Sequence, residues 1–281
     1  MSVKIIVDST ADLRPEIAEK VGIVPLSVQF GEKTYVSGVD ITSRQFYEML
    51  VESDTLPTTS QPAPYLFESE FEKAVQEGHE VVCLTCAGKL SGTNQSANIA
   101  AAEFDGKVHV VDSCTIAIGL AVLVEYAVAL AEKGLSAEEI VLNLLGKRKK
   151  IKLLALVDTL EYLKKGGRVS STVALAGGLL NIKPVISVNG GEIRLVGKAR
   201  GSRQGNNLLV QEIQKAGGVN FDMPVMLGYT GLSDALLQKY IQDSASLWEG
   251  HTENLPVSIV GSVVGTHVGP GAVAVAFFAA E

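Results

Sequence analysis

Val81-Val82-Cys83-Leu84-Thr85, Cys86-Ala87-Gly88-Lys89-Leu90-Ser91-Gly92 and Thr93-Asn94-Gln95-Ser96-Ala97 follow one another without a break. The first five residues form an apolar, β-branched run of strand length. Gly88 and Gly92 punctuate a turn, Ser91 stands where a helix N-cap belongs, and helical spacing continues to Phe104. A strand feeding a helix through a short glycine turn is a βα unit, and the pattern repeats on both sides of it. Strands are expected at 4–7, 24–30, 108–111, 153–157, 184–188, 225–229, 257–264 and 272–278. Helical stripes fall at 14–20, 43–52, 65–76, 115–133, 137–148, 203–216 and 233–247. This alternation implies an α/β fold with largely parallel sheets covered by helices. One junction departs from it, because Asn189-Gly190-Gly191 joins two strand-like runs directly and predicts a hairpin.

The chain has 281 residues, long enough for two modest α/β domains. We place the division in the basic run, giving domains 1–150 and 151–281. Hydrophobic residues make up 47% and charged ones 20%, which excludes a disordered chain. Three cysteines in this length argue against a secreted disulfide framework. The opening Met-Ser-Val-Lys-Ile-Ile-Val-Asp is too short in apolar residues for a signal-peptide core, so a cytoplasmic location is expected. Thr115 to Ala131 is apolar over 17 residues but contains Glu125 and is followed by Gly134, which predicts a buried core helix rather than a membrane span.

Net charge is −7, unevenly spread. Residues 147–203 hold 13 of the 24 basic residues and three of the 31 acidic ones, a net of +10 against −17 for the remainder. An acidic body without an aromatic-rich face argues against nucleic acid as a partner. The basic segment reads either as a solvated face or as a docking or phosphate-facing surface.

Four segments could carry chemistry. Lys89-Leu90-Ser91-Gly92-Thr93-Asn94 and Pro57-Thr58-Thr59-Ser60-Gln61-Pro62 each precede a helix and offer hydroxyls and free amides to an anion, or serve as ordinary caps. Leu163-Lys164-Lys165-Gly166-Gly167-Arg168 brings an arginine out beside a strand end, suited to a carboxylate or phosphate. Gly265-Thr266-His267-Val268-Gly269-Pro270-Gly271-Ala272 reads as a glycine-fixed loop between two strands, carrying a histidine. An aspartate and a hydroxyl also recur after three strands, in Val7-Asp8-Ser9-Thr10, Val111-Asp112-Ser113 and Val157-Asp158-Thr159. Such residues either face a ligand at the carboxyl ends of strands or cap helices.

Several functions lose their usual support. Gly88-Lys89-Leu90-Ser91-Gly92 lacks the Gly-x-Ser-x-Gly spacing of a hydrolase elbow. Neither a Walker loop nor a dinucleotide fingerprint follows a strand, and His79, His109, His251 and His267 lack metal-ligand spacing. Cys83 and Cys86 formally match Cys-x-x-Cys; if both lie on a strand, residues three apart point to opposite faces, and they read as buried thiols rather than a redox pair.

Taken in order, Asp8-Ser9-Thr10-Ala11-Asp12, Pro25-Leu26, Thr59-Ser60-Gln61-Pro62, Leu90-Ser91-Gly92-Thr93, Val111-Asp112-Ser113, Lys164-Lys165-Gly166-Gly167-Arg168, Lys183-Pro184 and the 265–272 segment resemble the bacterial DegV family across nearly the whole chain. Cys86-Ala87 depart from the family pattern, standing where serines belong. The resemblance implies two α/β domains enclosing a long-chain fatty acid, with no other cofactor and no metal. It implies a non-catalytic carrier that presents the fatty acid to a separate ATP-dependent fatty acid kinase for acyl-phosphate formation in phospholipid synthesis. Carried onto this chain, it gives Thr59 and Ser91 at the carboxylate, Arg168 and His267 near the head group, and Arg200 toward the kinase or phosphate. Ala174, Ala176, Gly177 and Gly178 would leave room for the acyl chain or allow close helix packing. An enzyme acting on a small acyl or phosphorylated substrate at the same loops is the other class that these segments allow.

Overall fold

The computed structural model describes residues 2–169, 181–252 and 255–280. Strands β1 (Val3–Asp8), β2 (Gly22–Val24), β6 (Glu80–Thr85) and β7 (Val108–Asp112) form a wholly parallel sheet in the order β2-β1-β6-β7. Helices cover both of its faces, so β6 is buried continuously from Val81 to Thr85, with four apolar residues in a row instead of an alternation. α3 (Pro64–Gln76) and α4 (Thr93–Ala101) bury Phe67, Phe71, Ala97 and Ala100 against Ile6 and Cys83. On the other face lie α5 (Ile118–Glu132) and α6 (Ala137–Lys147), whose Leu120, Val124 and Ile140 pack with Val7, Val82 and Leu84.

A second sheet of six strands is built from the chain after residue 150. It runs β10-β9-β8-β13-β11-β12, from β8 (Ile151–Leu156), β9 (Ile182–Asn189), β10 (Glu192–Arg200), β11 (Val225–Tyr229), β12 (Val257–Ile259) and β13 (Val273–Phe278). α8 (Gly201–Lys215) and α9 (Ala235–Asp243) pack on its outer face through Leu209, Ile213, Leu237 and Tyr240. The α/β class holds, but the largely parallel character holds only for the first sheet. In the second, β11 with β12 is the single parallel pairing and the other four are antiparallel. Two connections explain this. Gly190 and Gly191, at φ 57° and 78°, close the predicted hairpin in a conformation that side-chain-bearing residues avoid. The last strand, β13, then inserts antiparallel between β8 and β11.

α5 lies between the two sheets, touching β1 on one side and β8, β11 and β13 on the other. Its apolar stretch is therefore buried on nearly every face, which accounts for its composition without a bilayer. None of the described helices is long and apolar enough to cross a membrane. Strands of the first sheet all precede residue 113 and those of the six-stranded sheet all follow 150. Packing is less tidy than strand membership, since one core joins Val7 and Leu84 to Leu153 and Ala276.

Two expected strands are corrected. The run 24–30 breaks at Pro25-Leu26 into β2 and β3 (Ser27–Phe30). Pro25 has no amide hydrogen to continue the ladder. β3 instead joins a small antiparallel sheet, β4-β3-β5, with β4 (Lys33–Val36) and β5 (Thr58–Ser60). The run 257–264 is a strand only to Ile259, and Ser262–Val268 is helix α10. A short apolar run does not distinguish strand from helix, and packing decides here: Val263 lies among Leu26, Val28 and Phe46, where α10 meets β3 and α2 (Ser43–Glu52). An added Cβ at Gly265 would stand 2.6 Å from the Tyr47 hydroxyl and 2.7 Å from the Phe46 ring, so this glycine sets how closely α10 approaches.

Candidate functional site: an apolar cavity with one polar end

Between the carboxyl ends of the parallel strands and the inner face of the six-stranded sheet lies a cavity of about 1100 Å³, including its mouth. Its floor follows from strand register. Gly228 pairs with Ala274, Ala274 with Ala155, and Ala155 with Ile186. Three small residues side by side on adjacent strands leave a trough where larger side chains would fill the space between sheet and helix. Leu153, Val188, Ile193, Ile116 and Ala117 complete an apolar wall. Ala174, Ala176, Gly177 and Gly178, expected to make this room, lie outside the described residues. Small residues in strands gave no sequence signal, because nothing in the sequence says which strands are neighbours.

The polar end gathers residues from across the chain. Thr59, Ser91, Arg168 and His267 all line the cavity. Thr59 lies on β5, not in a helix-entrance loop as expected, and its Oγ1 is 2.9 Å from His267 Nε2. His267 sits in the last turn of α10, not in an open loop. Its Nδ1 is buried and unpartnered among the described residues, and the ring lies so close to Gly166 that a Cβ there would be 2.2 Å from Nδ1. Burial first, and the nearby Arg168 guanidinium second, push the His267 pKa down to about 4, so the ring is neutral at pH 7.

Arg168 follows Gly167, which takes φ 72°. Its Nε donates to Leu90 O at 3.2 Å and its Nη1 to Gly166 O at 2.6 Å. Both acceptors are neutral carbonyls, and among the described residues no carboxylate is paired with it. The cation therefore remains available to an anion at the cavity's polar end. Ser91 precedes α4 but does not cap it. Gly92 is the N-cap residue, while Ser91 Oγ accepts from Thr93 N–H at 3.3 Å and lies 2.8 Å from Thr93 Oγ1. Arg200 stands apart from this group. It is exposed at the end of β10, with its amide donating to Gln204 Oε1 at 3.3 Å, and it does not line the cavity.

Further residues at this end were not singled out from sequence. Gln61 lies over Gly92, where a Cβ would fall 2.0 Å from its Oε1, and its Nε2 donates to Ser96 Oγ at 3.0 Å. Thr10 and Cys86 also face the cavity. The Thr-Ser-Gln-Pro motif already held Gln61, but its contact with Gly92 depends on β5 crossing to the front of α4. Cys83 lies on β6 and Cys86 in the turn after it; both are buried, as expected, though not as two residues of one strand, and burial pushes both thiols well up from their ordinary range.

In chemical terms the cavity offers hydroxyls, a neutral imidazole and a guanidinium that pairs with no carboxylate among the described residues at one end, and hydrocarbon elsewhere. That combination suits an amphiphile with a single anionic head.

A family model described as "Uncharacterised protein, DegV family" matches residues 2–280. A DegV domain-containing protein from Deinococcus radiodurans is 37% identical over 282 residues, covering 98% of each chain. Among solved structures, a fatty-acid-binding DegV family protein from Thermus thermophilus is similar at TM-score 0.88 and 32% identity, over 99% of this chain and 100% of that one. The Fatty Acid Kinase (Fak) B3 protein of Streptococcus pneumoniae, loaded with linoleic acid, is similar at TM-score 0.86 and 26% identity, over 99% of each chain. The eight-segment resemblance read from the sequence and the match over residues 2–280 agree: this chain belongs to the DegV family.

Proposed function

We propose that this protein binds one long-chain fatty acid in the cavity, carboxylate at the polar end and acyl chain along the trough, and presents it to a separate ATP-dependent fatty acid kinase. The observation that carries this reading is the single polar end of an otherwise apolar cavity, where Thr59, Ser91, Arg168 and His267 converge. About 14 methylenes at roughly 0.8 kcal/mol each offer on the order of 11 kcal/mol before ordering costs. Leaving the carboxylate unpaired would cost several kcal/mol, and the Arg168 cation with the Thr59 and Ser91 hydroxyls offsets that cost.

The protein itself is a carrier in this reading. Acyl-phosphate forms only when the kinase and ATP are supplied, and Arg200, exposed beside the cavity-bearing sheet, belongs to the surface that meets the kinase or the phosphate, as do Lys164 and Lys165. Native mass spectrometry of protein purified from bacteria, followed by denaturation, tests the binding. A one-to-one mass increment released as free fatty acid supports it. An apo mass unchanged by oleate and palmitate overturns it, as would turnover of an acyl or phosphoryl substrate by the protein alone. Reversing the charge of Lys164, Lys165 and Arg200 together should abolish kinase coupling while the fatty acid stays bound; intact coupling would remove the docking part.

A further inference from the structure

The strand-end aspartates have no part in the cavity's own chemistry, yet two of them share one arrangement. β1 and β7 flank β6, and each ends in an aspartate, Asp8 and Asp112. Asp8 Oδ1 accepts the amide of Thr10 at 2.9 Å, and Asp112 Oδ1 accepts the amide of Cys114 at 2.8 Å, in each case two residues onward. Each second oxygen reaches across to the turn that leaves β6. Asp8 Oδ2 accepts from Cys86 N–H at 2.6 Å, and Asp112 Oδ2 accepts from Gly88 N–H at 3.2 Å. The turn between them is closed by Leu90 N–H and Ser91 N–H, both donating to Ala87 O, at 2.9 and 3.2 Å. Ser91 at its end faces the cavity.

Neither aspartate caps a helix. Asp8 is fully buried, and its bonds are to Thr10 and Cys86 rather than to a cation. A carboxylate so placed is costly, and a neutral side chain could end the strand more cheaply. What a carboxylate supplies here is two acceptor oxygens aimed at two N–H donors on different segments.

We infer that Asp8 and Asp112 are positioning residues for head-group recognition: a paired clamp that grips turn 86–91 from both sides and fixes Ser91 relative to Thr59, Arg168 and His267. The inference rests on the fatty-acid reading. Asparagine matches aspartate in shape but replaces one acceptor by an NH₂ group, which would face the Cys86 or Gly88 amide donor against donor. The turn must then shift, and small displacements of a polar group weaken recognition of a fixed ligand.

The test uses delipidated full-length protein, with palmitic acid and 1-hexadecanol as probes in titration calorimetry. Asp112→Asn and Asp8→Asn should each weaken palmitic acid about tenfold while changing hexadecanol less than about twofold, because only the carboxylate depends on Ser91's exact place. The double variant should lose less than the product of the two, since both act on one turn. Thr10→Val, which removes the hydroxyl that donates to Asp8 Oδ1 at 2.6 Å, should follow the same pattern, and Thr10→Ser should restore it. If Asp8→Asn does not fold, the half-buried Asp112 and the single hydroxyl of the buried Thr10 still decide the matter. Palmitic acid binding unmoved in Asp112→Asn and Thr10→Val, or acid and alcohol weakened together, overturns the clamp while the fatty-acid reading stands. Wild-type protein that takes up no palmitic acid overturns both.

Discussion

The two ends of the cavity are built in opposite ways. The polar end is assembled from β5, the turn after β6, the segment after α7 (Glu161–Lys165), and α10, held together by individual bonds such as Thr59 to His267 and Arg168 to Leu90 and Gly166. The trough comes from one row of one sheet, Gly228, Ala274, Ala155 and Ile186, and contains no polar contact. The first arrangement is directional and tolerates little displacement, because hydrogen bonds weaken steeply with misalignment. The second depends only on volume, because burial of hydrocarbon has no direction. In the proposed reading, one end orients the fatty acid and the other supplies most of its binding energy.

Filling the trough should have the largest effect. Ala155→Phe puts a ring across the row and displaces about five methylenes of a palmitate-length chain, on the order of 4 kcal/mol or a thousandfold in affinity. Acids of eight to ten carbons, in titration calorimetry across chain lengths, should be affected far less. Equal losses at every length would mean that the acyl chain does not lie on this row.

Next in size is a pH effect on the support of the polar end. Asp12 Oδ1 accepts from Gly261 N–H at 2.7 Å, at the start of α10, and burial pushes the Asp12 pKa up to about 7 from 3.8. A folded-state pKa raised this way means that the protonated form favours the fold. The contribution is fully present below about pH 4 and is lost as pH rises through about 7. Asp12→Asn, which cannot ionise, should therefore be more stable than wild type at pH 8 by roughly 2 to 4 kcal/mol, and should lack the wild-type decline between about pH 4 and 7 in urea titrations. Parallel pH dependence in the two proteins would show that Asp12 is not the group responsible.

Smaller still is the loss of one hydroxyl at the polar end. Thr59→Val removes the His267 partner and one donor to the ligand, which should weaken fatty acid binding by about 1 to 2 kcal/mol. In contrast with Ala155→Phe, that loss should be the same for every chain length, and a length-dependent loss would merge the two ends that the structure separates. The smallest expected effect is none. His267 holds its proton only below about pH 4, so its own contribution to binding should stay flat from pH 5 to 8. A step in affinity near pH 6.5 would show that ligand binding restores the ring's ordinary pKa.

Much of the polar end was legible in sequence because its short motifs, each also readable as an ordinary cap or turn, together carry the resemblance to the DegV family, which puts Thr59, Ser91, Arg168 and His267 at one head group. Thr59, Ser91, Arg168 and His267 were singled out and lie together. Their local settings were less legible. His267 was placed in a loop because the run 257–264 was read as a strand, and only the packing of Val263 on Leu26 and Phe46 makes the segment helical. Gln61 was passed over because its role depends on a bare Gly92 beneath it. The Asp-hydroxyl echo at 8, 112 and 158 was visible as a repeat, but capping and ligand contact were the two readings available. Asp8 and Asp112 instead brace a neighbouring turn, and Asp158 pairs with Lys183.

By itself the sequence determined the α/β class, the hairpin at 189–191 and the burial of the 115–131 stretch, because these follow from periodicity, turn chemistry and short-range spacing, while the residues of the polar end came from the family resemblance that its motifs carry. Tertiary structure alone decided the antiparallel order of the second sheet, the helical state of α10 and the trough. Each of these depends on which strands become neighbours, and adjacency between segments as distant as Ala155 and Ala274 is fixed by the packing of the whole chain rather than by any local preference.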